Sequence, residues 1–184
     1  MIPESAAEPH AQAANPFGAR DVAAILRERG WLSNGAAESS ALAEWLADAA
    51  ALLGPHAADR PALAALLALI FEYDPHAILR ERESHAVLAR EGAREVIRAL
   101  ALEILSGGEV DSDRLKEIFS ALKEKVRHGG RELYYPLRLA LAGRAGEGEL
   151  DRVILLLDRA AALKELAPVK SVRSRILEFC SALD

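Results

Sequence analysis

A single cysteine, Cys180, leaves this chain without an internal disulfide and without a thiolate metal site of its own, which fits a reducing, cytoplasmic setting. Aromatic residues are only 5% of the chain, and Val and Ile are scarce beside Leu and Ala. That balance argues against a sandwich or barrel and for helices. Long apolar runs are missing as well. The longest, residues 62–71, stops at Glu72-Tyr73-Asp74, far short of the ~18 residues of a membrane span. The first residues show no basic stretch followed by an apolar block, so no signal peptide is expected. Nor is there an excess of positive charge: 23 Lys and Arg face 28 Asp and Glu, a net of −5. The chain as a whole therefore does not attract polyanions, and any nucleic-acid contact has to be local.

What is present is 184 residues, 51% hydrophobic and 28% charged, enough for one large helical domain or two small packed ones. Residues 1–16 read as a loosely held leader, being rich in Ala, Pro and Glu without a sustained period. Beyond them, helix signals recur. Asp21 is positioned to cap a helix that Gly30 ends, with Trp31-Leu32 as a hydrophobic lock. Ser39 or Ser40 opens a second helix and Asp59-Arg60-Pro61 a third; Asp74-Pro75 repeats that signal, and one or two helices then run to Gly107-Gly108. Asp111 caps an amphipathic helix ended by His128-Gly129-Gly130, a short apolar helix ends at Gly143, and another begins after Gly148. Pro168 sets off a last helix, residues 169–183, with Val172, Ile176, Leu177 and Cys180 on one stripe. The expectation is an all-α multi-helix bundle of nine or ten helices, divided at Gly107-Gly108 into subdomains 17–107 and 108–184.

Catalytic patterns do not emerge. The five histidines form no His-x-x-x-His or His-Glu-x-x-His pair. Glu72, Asp74, His76 and His85 are the densest polar group, but Asp74-Pro75 is already accounted for as a helix start. Gly143, Gly146 and Gly148 lack the Gly-Lys-Ser/Thr ending of a phosphate loop, and Cys180 on an apolar stripe reads as core. What remains is local. Residues 1–127 carry 14 basic and 20 acidic side chains, whereas residues 128–184 carry 9 and 8. Within that less acidic part, Arg131, Arg138 and Arg144 lie close to Tyr134 and Tyr135, residue types that stack on and hydrogen-bond to unpaired bases. On composition alone, core tyrosines and solvated helix-flanking arginines are the favoured alternative.

The run Gly130-Arg131-Glu132-Leu133-Tyr134-Tyr135-Pro136-Leu137-Arg138-Leu139-Ala140-Leu141-Ala142-Gly143 resembles the C-terminal anticodon-binding region of bacterial glutamyl-tRNA synthetase. There the pattern is Gly-Lys-x-Leu, two residues, then Pro-Leu-Arg-x-Ala-Leu-Thr-Gly. Gly148-Glu149-Leu150 with Leu155-Leu156 is similar to the Gly-x-Glu-Leu and Leu-Leu pattern that follows. Upstream, Phe71-Glu72-Tyr73-Asp74-Pro75-His76-Ala77 is similar to the family's aromatic-Tyr-Asp-x-x-Ala step. The resemblance implies an all-helical cage for the anticodon loop of tRNA(Glu), with Arg138 matching the arginine that contacts anticodon bases and Leu150 an apolar contact. Departures accompany it. The family threonine is Ala142, the neutral turn position is Glu147, the usual Leu-Leu-Gly ends in Asp158, and the closing Arg-Leu is Glu165-Leu166. A carboxylate at Glu147 repels phosphate, and the chain runs a further helix, residues 169–183, past the usual family end.

The synthetase catalytic half, with its His-x-Gly-His motif and Lys-Met-Ser-Lys-Ser loop, has no counterpart in these residues. The expectation is a non-catalytic, freestanding, cytoplasmic tRNA-binding module that needs no cofactor, with Arg131, Tyr135, Arg138, Arg144 and Leu150 as its RNA-binding residues. The competing expectation keeps the cage without the RNA and docks on an aminoacyl-tRNA synthetase or another translation protein, using the extra C-terminal helix.

Overall fold

The computed structural model describes residues 15–33, 35 and 39–184; most of the leader expected at residues 1–16 lies outside these. The fold is all-α. In chain order the helices are α1 (Ala19–Glu28), α2 (Ser40–Leu53), α3 (Arg60–Phe71), α4 (Pro75–Arg80), α5 (Arg82–Leu88), α6 (Ala93–Leu105), α7 (Ser112–Lys125), α8 (Arg131–Ala142), α9 (Glu149–Ala162) and α10 (Val172–Leu183), with a single 3₁₀ turn, Gly54–His56, after α2. The one extended pairing among the described residues is an antiparallel bridge between Leu32 and Leu166.

Short polar side chains start five of these ten helices by accepting from backbone N–H groups that have no partner within the helix. Ser39 accepts from Leu42, Asp59 from Ala62, Asp74 from His76 and Ala77, Asp111 from Asp113 and Arg114, and Ser171 from Ser174. Asp21 acts differently from the cap expected of it. It lies in the first turn of α1, and its carboxylate reaches back to the N–H of Gly18, which is the N-cap.

The stretch between Pro75 and Gly107 holds three helices where one or two were expected. Ser84 is buried and its hydroxyl donates to the Ile78 carbonyl at 2.6 Å, turning the chain sharply at Glu81. Gly92 makes the next break at φ +80, and a Cβ there would fall 2.0 Å from His128 Nε2. α7 ends at Lys125, ahead of the glycine pair. Residues 163–171 do not belong to α10. Ser33 N–H donates to Glu165 O at 3.2 Å and Ala167 N–H to Trp31 O at 2.7 Å, which holds that segment extended until Ser171 caps α10.

α8 is the central element, with eight of its twelve residues buried, and it packs on α5, α6, α9 and α10. A helix apolar on nearly every side belongs in the middle of a bundle. One core cluster runs from Val22 to Phe179 and includes residues on both sides of Gly107-Gly108, across which α6 packs on α7, α8 and α10. Both tryptophans lie in it. Trp31 stacks on Phe71 at 4.8 Å, Trp45 meets the same ring edge-on, and the Trp45 indole N–H donates to Leu156 O.

α10 is part of this core. Val172, Arg175, Ile176 and Phe179 face inward, while Leu177, expected on the apolar stripe, is exposed. Arg175 is wholly buried without a carboxylate. Its guanidinium donates to Ile70 O at 2.6 Å, Leu141 O at 2.8 Å and Lys170 O at 3.1 Å, and it lies 4.4 Å from the centre of the Tyr73 ring. Ile70 and Leu141 belong to the last turns of α3 and α8, where carbonyls lack helical partners and the helix dipoles are negative. Burial lowers the Arg175 pKa to about 10. Tyr73 completes the unit, its hydroxyl donating to Ala140 O at 2.6 Å, and burial pushes its pKa well above the usual tyrosine value.

Candidate functional site at the α8–α9 corner

α8 ends at Gly143, whose φ of +82 turns the chain away from the helix axis as its N–H donates to Leu139 O. Six residues later, at Glu149, α9 begins. The intervening turn brings the ends of both helices together and gathers the five expected site residues around it, though in different situations.

Arg138 faces inward and is 7% exposed. Its Nε and Nη2 donate to the two oxygens of Asp151 at 2.8 Å each, and Nη1 donates to the Gly146 carbonyl at 2.7 Å. Every guanidinium nitrogen is thus engaged by the turn or by the first turn of α9, and the group also lies 5.0 Å from the Tyr134 ring. Burial works to lower its pKa, and the bond and charge of Asp151 outweigh that, leaving it raised. Tyr134 is held in turn by Phe119, edge to face at 5.3 Å. Leu150 is fully buried beneath the turn.

The other three reach solvent. Tyr135 is half-buried, and its hydroxyl donates to Glu147 Oε1 at 2.8 Å. That hydrogen bond, the largest influence on the phenol, raises its pKa. Arg131 is exposed, lies 5.6 Å from the Tyr135 ring, and reaches the same Glu147 oxygen at 3.7 Å. Arg144 is exposed and stands 3.9 Å from Glu149. Sequence reasoning missed two members of this corner. Arg90, on the turn before α6, lies 5.7 Å from the Tyr135 ring, and Asp151 is the partner of Arg138. Nothing local marks Arg90, which is 45 residues from the ring it covers; Asp151 carried a faint signal as a carboxylate in the first turn of a helix next to an arginine-bearing one.

Two open depressions flank the start of α9. One, of about 260 Å³, is lined by His56, Leu66, Arg144 and Glu149; the other, of about 230 Å³, by His56, Lys116, Phe119, Asp151 and Arg152. Their linings mix cationic, anionic and aromatic groups. Among the described residues no cluster of His, Cys, Asp and Glu could hold a metal ion; Asp74 caps α4. Among the described residues no helix is long and apolar enough to cross a membrane.

Residues 11–169 match the family model of the anticodon binding domain. The chain belongs to the anticodon binding domain family. Its similar proteins include glutamate-tRNA ligase of Bacillus cytotoxicus, 34% identical over 89 residues, which are 48% of this chain and 18% of that protein. Those of Bacillus licheniformis (32% over 101 residues, 55% and 20%) and Carboxydothermus hydrogenoformans (31% over 86 residues, 47% and 18%) are similar to it as well. The chain thus spans about a fifth of the length of the curated relatives it matches. No solved structure matches it. The family match ends at residue 169, so α10, with its core Arg175, lies beyond it.

Proposed function

We propose that this chain binds the anticodon arm of a tRNA, tRNA(Glu) first among the candidates, at the α8–α9 corner. The observation that carries the reading is the meeting of Arg131, Tyr135 and Arg144, all open to solvent, around one turn of a chain in the anticodon binding domain family. The exposed part of the Tyr135 ring offers a stacking surface for an unpaired base, and Arg131 and Arg144 offer donors to phosphate or base edges. Arg138 and Leu150 act from beneath: Arg138 ties the turn to α9, and Leu150 anchors it to the core. On this reading the chain is a binding module of the cytoplasm with no chemistry of its own.

The test is a fluorescence-anisotropy titration with labelled tRNA at low salt. Saturable binding is expected, weakened by Arg131→Ala, Tyr135→Ala and Arg144→Ala. Each lost arginine that met a phosphate lowers the slope of log K against log salt by about 0.7 to 0.9. Absence of saturable binding, or binding indifferent to all three substitutions, refutes the reading.

One observation favours a second reading, a protein-interaction module. Glu147, Glu149 and Asp151 each stand against a cation of this corner, giving a mixed-charge face of the kind that recognises protein surfaces. An aminoacyl-tRNA synthetase or another translation protein is the candidate partner. Capture of such a protein from extract, lost on Arg144→Glu while tRNA binding stays absent throughout, would support it.

A further inference from the structure

We propose that Glu147 is an internal competitor for the RNA site: its carboxylate occupies the groups that the nucleic acid would meet, so that tRNA binds by displacing it. The inference rests on the tRNA reading above and assigns that site its regulation. A single oxygen, Oε1, accepts the Tyr135 hydroxyl at 2.8 Å and faces Arg131 at 3.7 Å, taking up an aromatic and a cationic member of the exposed set at once. An acceptor carrying one negative charge, placed over a tyrosine and an arginine, presents the chemistry of a phosphate oxygen.

The two carboxylates that meet the corner through hydrogen bonds are built differently. Asp151 is 19% exposed and forked by Arg138, whose third nitrogen holds the turn itself. That pair is part of the scaffold. Glu147 is 66% exposed and lies between Gly146 and Gly148. At Gly148 a Cβ would meet nothing within 4 Å. An exposed side chain can swing out by rotation about its own bonds without moving α8 or α9, which frees Arg131 and the Tyr135 hydroxyl and leaves the Arg138–Asp151 fork in place. Arg90 near the same ring supplies a second cation once the carboxylate departs.

Glu147→Gln and Glu147→Ala are compared with the unaltered protein in anisotropy titrations of unfractionated tRNA. Glu44→Gln, on the exposed side of α2, makes the same charge change outside the corner. Losing one exposed ion pair and its hydrogen bond corresponds to about a three- to tenfold gain in affinity for Glu147→Ala; Glu147→Gln, whose amide oxygen can still accept the Tyr135 hydroxyl, gains less. The salt dependence keeps its slope, because Arg131 meets the same phosphate in every complex once the carboxylate is displaced or removed. Thermal melting of the variants stays that of the unaltered protein, because the carboxylate is exposed.

Tighter binding by the Glu147 variants than by both the unaltered protein and Glu44→Gln supports the inference. So does binding that appears only in those variants. Equal affinities of the Glu147 variants, Glu44→Gln and the unaltered protein overturn it and leave the tRNA reading standing. If none of the proteins binds, both fall.

Discussion

The Arg138–Asp151 fork invites a double-mutant cycle: Arg138→Ala, Asp151→Ala and the two together. Two charges about 4 Å apart at an effective dielectric near 20 attract by about 4 kcal/mol, whereas exposed pairs couple by only about 0.2–1 kcal/mol. The side chains here are 8% and 19% exposed and joined by two hydrogen bonds of 2.8 Å. They therefore sit near the first limit before the cost of their own dehydration is subtracted. The expected coupling is about 2 kcal/mol. Urea unfolding of the four proteins measures it, provided the m-values agree. In a chain of this length each single substitution should also lower Tm by about 4–8 °C. Arg138→Lys discriminates further, since an ammonium keeps the charge but cannot fork onto both carboxylate oxygens and reach Gly146 O as well; it should recover less than half of the loss. A coupling under about 0.5 kcal/mol would refute the view of Arg138 as the tie of the turn, and would leave its guanidinium available to a ligand.

Three further outcomes are expected. Arg175→Met should destabilise by about 3 kcal/mol, because Ile70 O, Leu141 O and Lys170 O lose their buried donor while the cost of a dehydrated cation is relieved; a change under about 1 kcal/mol in urea unfolding would contradict the packing described. Gly92→Ala should cost about 2 kcal/mol from its φ of +80 alone, with His128 forced aside in addition; a shift of the His128 ring resonances by NMR would accompany it. Asp74 has its carboxyl below the usual range, chiefly through the Ala77 N–H. Its folded pKa lies below the unfolded one, so its contribution to α4 is complete above the ordinary carboxylate pKa and is lost as pH falls through the folded value. A carboxyl-detected NMR titration checks the direction, and a midpoint at or above the ordinary value would contradict it.

Much of the fold is legible because capping is local. Ser39, Asp59, Asp74 and Asp111 each begin a helix where a short polar side chain precedes an apolar period, and Gly143 ends α8 where only a left-handed residue fits. What stayed hidden depends on distant partners. The break at Glu81 has no glycine or proline to mark it, and it comes from a buried Ser84 bond to Ile78. The late start of α10 follows from residues 165–167 pairing with Trp31 and Ser33. An arginine in the last helix reads as solvated until its acceptors, 34 and 105 residues away, are known. At the site, the residue types of the less acidic part singled out Arg131, Tyr135 and Arg144, the resemblance singled out Arg138 and Leu150, and Glu147 stood out as a departure. The pairing of Arg138 with Asp151 needed the relative placement of two helices.

The burial of Arg175 also bears on how the protein comes into being. Until α10 has left the ribosome, the last turns of α3 and α8 hold carbonyls without donors, and the core surface that Ile176 and Phe179 cover is bare. A nascent chain that has emerged only through residue 169 has the residues that match the family model but not the plug that closes them. Synthesis interrupted there yields a product with exposed core, the kind of species that chaperones and proteases take up. The ends of α3 and α8 thus gain their donors only when α10 docks, which makes that helix the keystone of the core.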